Sequence, residues 1–238
     1  MEFLYSATTL FSGVPEAEAR VLLLRMNAHL RSFHKNEVIY RTGDRVTEPG
    51  LLRSGGVNLQ VHLNRGSCQI LVHIAPGELF GADEAMLPER ELRWDYISDG
   101  ESEVLFFQPT RLFEACQGSC RSHRRLLENY MRALAMHEQN LTARMLHTAP
   151  RSIRERLLSY LAEVAGESGG DSFSIPFSRQ QLADYLGVDR SALSNELSKM
   201  RTDGLILFRK NRFRLCRGDA GDARQVSGDT LTETWGFP

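Results

Sequence analysis

Arg190, Ser191, Ser194, Asn195, Ser198 and Lys199 are the residues of this chain whose types and spacing best suit chemistry with a partner. They recur in pairs every four positions, so a helix starting at Arg190 carries them on one face. Ala192, Leu193, Leu197 and Met200 then fall on the opposite, buried face. Arginine presents a planar fork of donors that fits O6 and N7 of guanine, and asparagine pairs with N6 and N7 of adenine. The chemistry is recognition of base edges rather than bond making.

The elements that must position this face can be read around it. Asp189 is placed to cap the helix, because its carboxylate can accept from the free N–H groups of the first turn. Gly204 closes that helix. Upstream, Ser178 with Gln181 has capping-box spacing, and Leu182, Ala183 and Leu186 share one face of a short helix. Gly187 ends it by accepting the left-handed backbone of a tight stop. Two short helices joined by a three-residue turn containing glycine form a helix-turn-helix, whose second helix enters a DNA major groove. Leu205 to Phe208 and Arg212 to Leu215 follow as two strands around Arg209, Lys210 and Asn211, a basic wing. Residues 178–216 hold eight Lys/Arg against four Asp/Glu, a net of +4, whereas the whole chain is −1. Positive charge is concentrated where phosphates would lie. A plain amphipathic core with a solvated face would not need caps, turn, polar face and basic wing to agree. The expected DNA-contacting set is Ser178, Arg179, Gln180, Arg190, Ser191, Ser194, Asn195, Lys199, Arg209, Lys210 and Arg212. The wing cations suit phosphates, and the first two turns of the second helix suit bases.

The rest of the composition bounds the setting. With 238 residues, 42% hydrophobic and 25% charged, the chain has room for one or two globular domains. No apolar run approaches the roughly 20 residues of a membrane helix. The N-terminus has no basic n-region or apolar h-region of a secretory signal. Cys68, Cys116, Cys120 and Cys216 lack paired zinc-type spacing. A reducing cytoplasm is the expected location, with no membrane partner and no metal. Residues 3–31 read as helical, broken at Phe11 to Pro15, with a helix from Glu16 to Leu30 that carries Val21, Leu22, Leu24 and Met26. From Phe33 to Phe107 the period becomes two. Val38 to Tyr40 is a strand. Val57, Leu59, Val61 and Leu63 alternate with polar residues, as do Cys68, Ile70, Val72 and Ile74, and Val104 to Phe107 is a last strand. Short strands with glycine turns suggest a small antiparallel barrel or roll.

At these residues the chain resembles the Crp/Fnr family of bacterial transcription regulators. Leu10-Phe11-Ser12-Gly13, Gly43-Asp44, Leu51 to Val57 and Pro76-Gly77-Glu78-Leu79-Phe80-Gly81 resemble the family's cyclic-nucleotide-binding-type β-roll. Residues 178–216 resemble its winged helix-turn-helix. The resemblance spans about residues 8–216. It implies an α+β fold: a cupin-like antiparallel jelly roll over 1–113, a dimerisation helix over 114–149 and a winged helix-turn-helix over 150–216. The tail over 217–238 is rich in Gly, Asp and Thr with little apolar content, so a disordered tail is expected there. The resemblance further implies a homodimer on a palindromic site of double-stranded DNA, with a small-molecule effector in the roll and RNA polymerase as a candidate further partner. Within the long helical stretch from Pro109 to Ala149, Leu127, Met131, Leu134, Leu141 and Met145 follow a heptad-like seam, interrupted by Glu138. The competing expectation is that this helix packs on its own roll.

In family members that bind cyclic AMP, a glutamate directly after the glycine holds the ribose, and an arginine followed by a small hydroxyl residue holds the phosphate. Here Gly81 is followed by Ala82, Arg90 by Glu91 and Arg93 by Trp94. Residues 83–103 carry eight carboxylates against two arginines, which would repel a phosphodiester. The expected effector is therefore another small molecule, with Phe80, Gly81, Ala82, Arg93 and Trp94 as pocket residues. The oxygen-sensing branch of the family holds an iron–sulfur cluster on N-terminal cysteines, and none precedes Cys68. His62 and His73 are the haem-ligand candidates, both at polar-phase positions where a solvated histidine is commoner. Cys116 and Cys120 could share a helix face as a redox pair. Such redox or haem sensing, and a ligand-binding module acting through protein contacts, are the alternative readings. As an enzyme the chain offers Cys116 with His123 and no third group, so no catalytic residues are expected.

Overall fold

The computed structural model describes residues 8–63, 67–113 and 121–216. They fall into two compact units, one ending at Leu146 and one beginning at His147. The first is built on eight strands: β1 (His29–Phe33), β2 (Val38–Tyr40), β3 (Gly50–Ser54), β4 (Val57–His62), β5 (Cys68–Ile74), β6 (Leu79–Phe80), β7 (Asp95–Ser98) and β8 (Ser102–Phe106). They form two antiparallel four-stranded sheets, in the orders β1-β8-β3-β6 and β2-β7-β4-β5. Phe33, Leu52, Phe80, Val104 and Phe106 from one sheet meet Ile39, Val57, Leu59, Val72, Ile74 and Tyr96 from the other. Phe80 lies 5.1 Å from Tyr96 and edge-on to Phe106 at 6.4 Å between ring centroids.

The first sheet is covered on its second face too. Helix α1 (Glu16–Arg25) precedes the strands, and α2 (Thr110–Phe113) and α3 (Arg121–Thr148) follow them. Between α1, α3 and the sheet lies a second core of Leu10, Phe11, Leu22, Leu23, Met26, Leu51, Leu105, Phe107, Leu126 and Tyr130. Successive strand residues point to opposite faces, so Leu51 and Leu105 serve this core while Leu52, Val104 and Phe106 serve the interior. That is why two adjacent leucines of β3, Leu51 and Leu52, are both buried and the strand shows no alternation. Asn129 Nδ2 is buried and donates to the carbonyls of Leu10 and Ser12 at 2.9 and 2.8 Å, fixing the segment before α1 to α3.

Two local expectations are corrected here. The first helix stops at Arg25, not Leu30, because Asn27 turns the chain at φ +53° and His29 to Phe33 pair with β8. It touches the core through Ala19, Leu22 and Leu23, so Val21 and Leu24 are 50% and 79% exposed. In β4 the alternation holds only to Leu59; past a bulge between Leu59 and Gln60, Val61 is half-buried and Leu63, just beyond the strand, is exposed, while Asn58, ahead of the bulge and opposite His73, is buried. The long helical stretch expected from Pro109 to Ala149 falls on α2 and α3, with residues 114–120 between them outside the described residues. Cys116 and Cys120 lie outside the described residues, as does the expected tail.

The second unit comprises α4 (Ile153–Ser168), β9 (Ser172–Ser174), α5 (Arg179–Leu186), α6 (Arg190–Thr202), β10 (Ile206–Arg209) and β11 (Arg212–Leu215). Ser152 and Glu155 form a capping box at the start of α4. The loop expected over 166–172 is shorter than the sequence suggests, since α4 continues to Ser168. The wing has three strands in the order β10-β11-β9, with Phe173 opposite Phe213. The third strand is only three residues long and buries a single side chain, Phe173, too little for a period to register. The last residues of α3 belong to this unit. His147 is buried, with Nε2 2.9 Å from Glu163 Oε2 and Nδ1 3.0 Å from the Tyr185 hydroxyl.

The turn between β3 and β4 depends on Gly55, at φ +88°. A Cβ there would lie 2.3 Å from Ser102 Oγ and 2.5 Å from the Glu101 carbonyl oxygen. Gly55→Ala is expected to destabilise the protein by about 1–3 kcal/mol, from the left-handed backbone and the clash together. The midpoint of urea unfolding measures it, and a change below a few tenths of a kcal/mol would contradict this account.

Candidate nucleic-acid interface

Local chemistry builds the helix-turn-helix. At the start of α5 the Ser178 N–H donates to Gln181 Oε1 at 2.8 Å, and the Gln181 N–H donates to Ser178 Oγ at 3.4 Å. Leu182, Ala183, Tyr185 and Leu186 are buried. Gly187, at φ +64°, stops the helix, and the chain re-enters helix through Asp189. Asp189 Oδ1 accepts from the N–H groups of Ser191 and Ala192 at 2.8 and 3.0 Å and from the Ser191 hydroxyl. Those bonds, the Ser191 hydroxyl first, hold the carboxyl below its usual pKa. A carboxylate at this end also complements the helix dipole.

α6 is anchored by Leu193, Leu197 and Met200, all fully buried. Arg154 of α4 grips it from behind, with Nε 2.6 Å from Glu196 Oε1 and Nη2 2.7 Å from Asp203 Oδ2. On the other side Arg190, Ser191, Asn195, Ser198 and Lys199 are exposed, and Ser194 is half-buried. The hydroxyls form a ladder along the helix. Ser194 donates to the Arg190 carbonyl at 2.9 Å, Ser198 to that of Ser194 at 3.0 Å and Thr202 to that of Ser198 at 3.1 Å. Their protons are used within the helix, so outward they offer lone pairs. The outward donors on this face are Arg190, Asn195 and Lys199.

The wing tip carries exposed Arg209, Lys210 and Arg212, with Lys210 at φ +55°. Arg179 lies over the rings of Phe208 and Phe213, 5.1 and 5.8 Å from their centroids, and donates to the Lys210 carbonyl at 3.3 Å. It ties the wing to the start of α5. Gln180 is exposed and donates to Asp184 at 2.9 Å. Arg156 holds the other end of α5, with Nη1 2.9 Å from the Leu186 carbonyl oxygen. Neither Arg154 nor Arg156 stands out in the sequence, because each partner lies on another element.

The roll offers a separate concavity. A shallow open cleft, with a cavity volume of only about 20 Å³, lies between the strands and α3, with Thr9, Ile74, Glu78, Phe80, Met136 and His137 among its lining residues. Of the five expected pocket residues only Phe80 lines it. Ala82 is buried and its carbonyl accepts from the Tyr130 hydroxyl at 2.8 Å, Gly81 is buried beside it, Trp94 donates to Glu84 Oε1 at 2.9 Å, and Arg93 is exposed. The sequence could not show this, since four of the ten lining residues come from α3. The expectation of solvated histidines is corrected for His73. Its Nδ1 is 2.7 Å from Asn58 Oδ1, and burial lowers its pKa. His62 is exposed and pairs with Asp95 at 3.2 Å.

On α3 the seam residues divide. Leu127 and Leu134 pack in part against the core under α1, and Leu141 against the roll interior. Met131 and Met145, with neighbouring Leu146, are 61%, 69% and 64% exposed.

Comparison with known proteins matches residues 30–119 to the cyclic nucleotide-binding domain and residues 155–220 to the Crp-like helix-turn-helix domain. Together the two matches span well over half of the chain. The transcriptional activator protein FnrL of Cereibacter sphaeroides is 24% identical over 77% of this chain and 75% of its own length. The nitrogen fixation regulation protein FixK of Rhizobium meliloti is 26% identical over 73% of this chain and 76% of its own. The solved structure of FixK2 from Bradyrhizobium japonicum has a similar fold, with a TM-score of 0.61 at 23% identity, over 80% of this chain and 93% of that one.

Because Asp189 closes three donors at the start of α6, its removal should fray the turn that carries Arg190 and Ser191. Asp189→Ala is expected to lower the thermal midpoint by a few degrees and to speed amide exchange at 191–193. Asp189→Asn keeps an acceptor and should stay close to the parent protein. Equal behaviour of the two variants would contradict the capping role.

Proposed function

The chain belongs to the Crp/Fnr family and is a DNA-binding transcription regulator of that type; from that premise we propose that it acts as a homodimer on a two-fold operator read by α6. The observation that carries this reading is the exposed face of α6, where Arg190 and Asn195 are outward donors on a helix fixed from behind by Leu193, Leu197 and Met200. The N-terminal turns of such a helix come nearest the base edges. Arg190 would select a guanine and Asn195 an adenine in each half-site. Ser191 and Ser194 would act as acceptors. Arg209, Lys210 and Arg212 would neutralise phosphates without sequence preference. Arg179 has its guanidinium on the wing rings and would serve as a brace.

The second copy would dock along α3. Met131, Met145 and Leu146 are large apolar side chains left in water beside the half-buried Leu127, Leu134 and Leu141. Their burial against the same stripe of another copy would satisfy the heptad-like spacing. No helix among the described residues is long and apolar enough to cross a membrane, which fits work on DNA in the cytoplasm. The role is regulatory rather than enzymatic. We place the effector in the cleft against α3 and take it to be a molecule other than cyclic AMP, because Ala82 stands where the family's ribose-binding glutamate would be. RNA polymerase remains the expected partner at a promoter.

Selection of bound DNA from a random pool tests the reader. Arg190→Ala should cost about 1–3 kcal/mol and relax one position in each half-site, and Asn195→Ala should relax a different one. The half-sites should lie about 34 Å apart. Unchanged selected sites in both variants would remove α6 as the reader. For the second copy, Met131→Glu combined with Met145→Glu should give a monomer in sedimentation and at least a tenfold loss of operator affinity, about 1.4 kcal/mol. Both side chains are exposed, so folding should survive; a variant that still sediments as a dimer would refute the interface.

A further inference from the structure

The described part of the roll contains one cluster of titratable groups that DNA recognition does not use. Asp83 and Glu84 follow β6, at the start of the short helical turn Glu84–Met86. Glu84 Oε1 accepts from the Tyr96 hydroxyl at 2.8 Å and from Trp94 Nε1 at 2.9 Å. Glu84 Oε2 and Asp83 Oδ1 are both covered atoms that no hydrogen bond of ordinary geometry reaches, so one proton shared between the two carboxyls would serve both. Asp83 Oδ1 lies 3.3 Å from Nδ1 of His137, which projects from α3. One turn-pair earlier on α3, the Tyr130 hydroxyl donates to the carbonyl of Ala82. Thus three consecutive residues, Ala82 to Glu84, are the place where α3 is bonded to the turn after β6. Two adjacent, half-buried carboxyls, each with one covered oxygen, meet a single imidazole there, and a covered oxygen without a donor is better filled by a proton than by a charge.

We propose that Asp83, Glu84 and His137 form a proton-operated latch between the roll and α3, closed at and below neutral pH and released as the pH rises. In the closed form Glu84 is protonated and its O–H faces Asp83, Asp83 is ionised and His137 is protonated. Loss of the Glu84 proton leaves two neighbouring carboxylates with one cation. Loss of the His137 proton then leaves none. The groups facing the cluster are Tyr96 and Trp94 from the second sheet and its approach, Tyr130 and His137 from α3, and Glu78 from the start of β6.

Their tendencies agree in sign. Burial, then the bond to Asp83 and its charge, push Glu84 up to about 7. Burial works against the charge of His137, but the bond to Asp83 and the charges of Asp83, Glu84 and Glu78 outweigh it, so its pKa rises. For Asp83 burial is likewise outweighed, by the bonds to His137 and Glu84, and its pKa falls. Burial, then the neighbouring carboxylates, raise Tyr96 and Tyr130, which stay neutral. For Glu84 and His137 the folded value exceeds the unfolded one. Their stabilisation is full below the unfolded value and is lost as the pH rises through the folded value, near 7 for Glu84. Asp83 contributes stability at every pH above its depressed value and does not reverse that trend. α3 continues from the latch to Thr148, so the latch sets how firmly the roll holds the helix that leads into the DNA-binding unit.

Amide hydrogen exchange of the full chain, read by mass spectrometry at pH 6, 7, 8 and 9 and corrected for the intrinsic rate, tests the latch. Exchange in peptides covering 82–98 and 126–140 should rise by up to about tenfold per pH unit above 7, while α4 keeps a flat profile. In Glu84→Gln, which is neutral at every pH, the rise above pH 7 should shrink to about twofold or less. The same slope in Glu84→Gln as in the parent protein, or no slope in either, would overturn the proposal. Histidine nitrogen NMR of the unaltered protein checks it without a variant. His137 should titrate above 6.5, with a second inflection near 7 from Glu84. A single titration at or below 6.5 would overturn it equally.

Discussion

Burial of both faces of the sheet β1-β8-β3-β6 is the constraint on which the first unit depends. One face meets the second sheet through Phe33, Leu52, Phe80, Val104 and Phe106, and the other seats α1 and α3 through Leu51 and Leu105. A large apolar side chain moved from water into such a core contributes about 1.5–3 kcal/mol, far more than any surface ion pair here. The cores on the two faces share a backbone, so a shift of α3 on the sheet is felt by the residues that line the interior. That arrangement makes the contact between α3 and the roll the natural place for control, whether by a molecule in the cleft or by protons at Asp83, Glu84 and His137.

The second unit solves a different problem. A reading helix must present polar side chains to DNA without moving, and α6 achieves this by holding everything except its outward donors. Three fully buried apolar side chains fix its roll about the axis. Asp189 fixes its first turn, Arg154 grips its back, and Arg179 couples the wing to the start of α5. The serine ladder removes competing donors from the outer surface, which leaves Arg190, Asn195 and Lys199 as its outward donors. Specificity then follows from which donors are left over, as much as from which residues are present.

These two designs bear on each other through α3, a helix of 28 residues whose last two lie in the DNA-binding unit. Its inner face serves the roll with Leu126, Tyr130 and His137. The adjoining stripe carries the exposed methionines. A single helix thus presents a core face and an open apolar face side by side, which is why a heptad-like spacing and packing on the roll are both legible in the same residues.

The sequence by itself determined the helix-turn-helix almost to the residue. Ser178 with Gln181, Gly187, Asp189 and Gly204 are local signals, since a cap or stop acts within one turn of its own helix and needs no distant partner. The charge contrast between residues 178–216 and the whole chain was equally plain, and so were the strands with clean alternation. Only the tertiary structure decided the rest. β3 is covered on two faces and so shows no alternation, while the third wing strand is too short to have a period. His73 reads as exposed until Asn58, its buried cross-strand partner, is seen beside it. The cleft takes four of its ten lining residues from α3, and Arg93, a reasonable pocket residue by position, faces solvent. The joining of Asp83 and Glu84 to His137 brings together residues on separate elements. Local propensity acts within a turn or a strand pair, whereas burial and charge pairing depend on which distant surfaces the chain brings together.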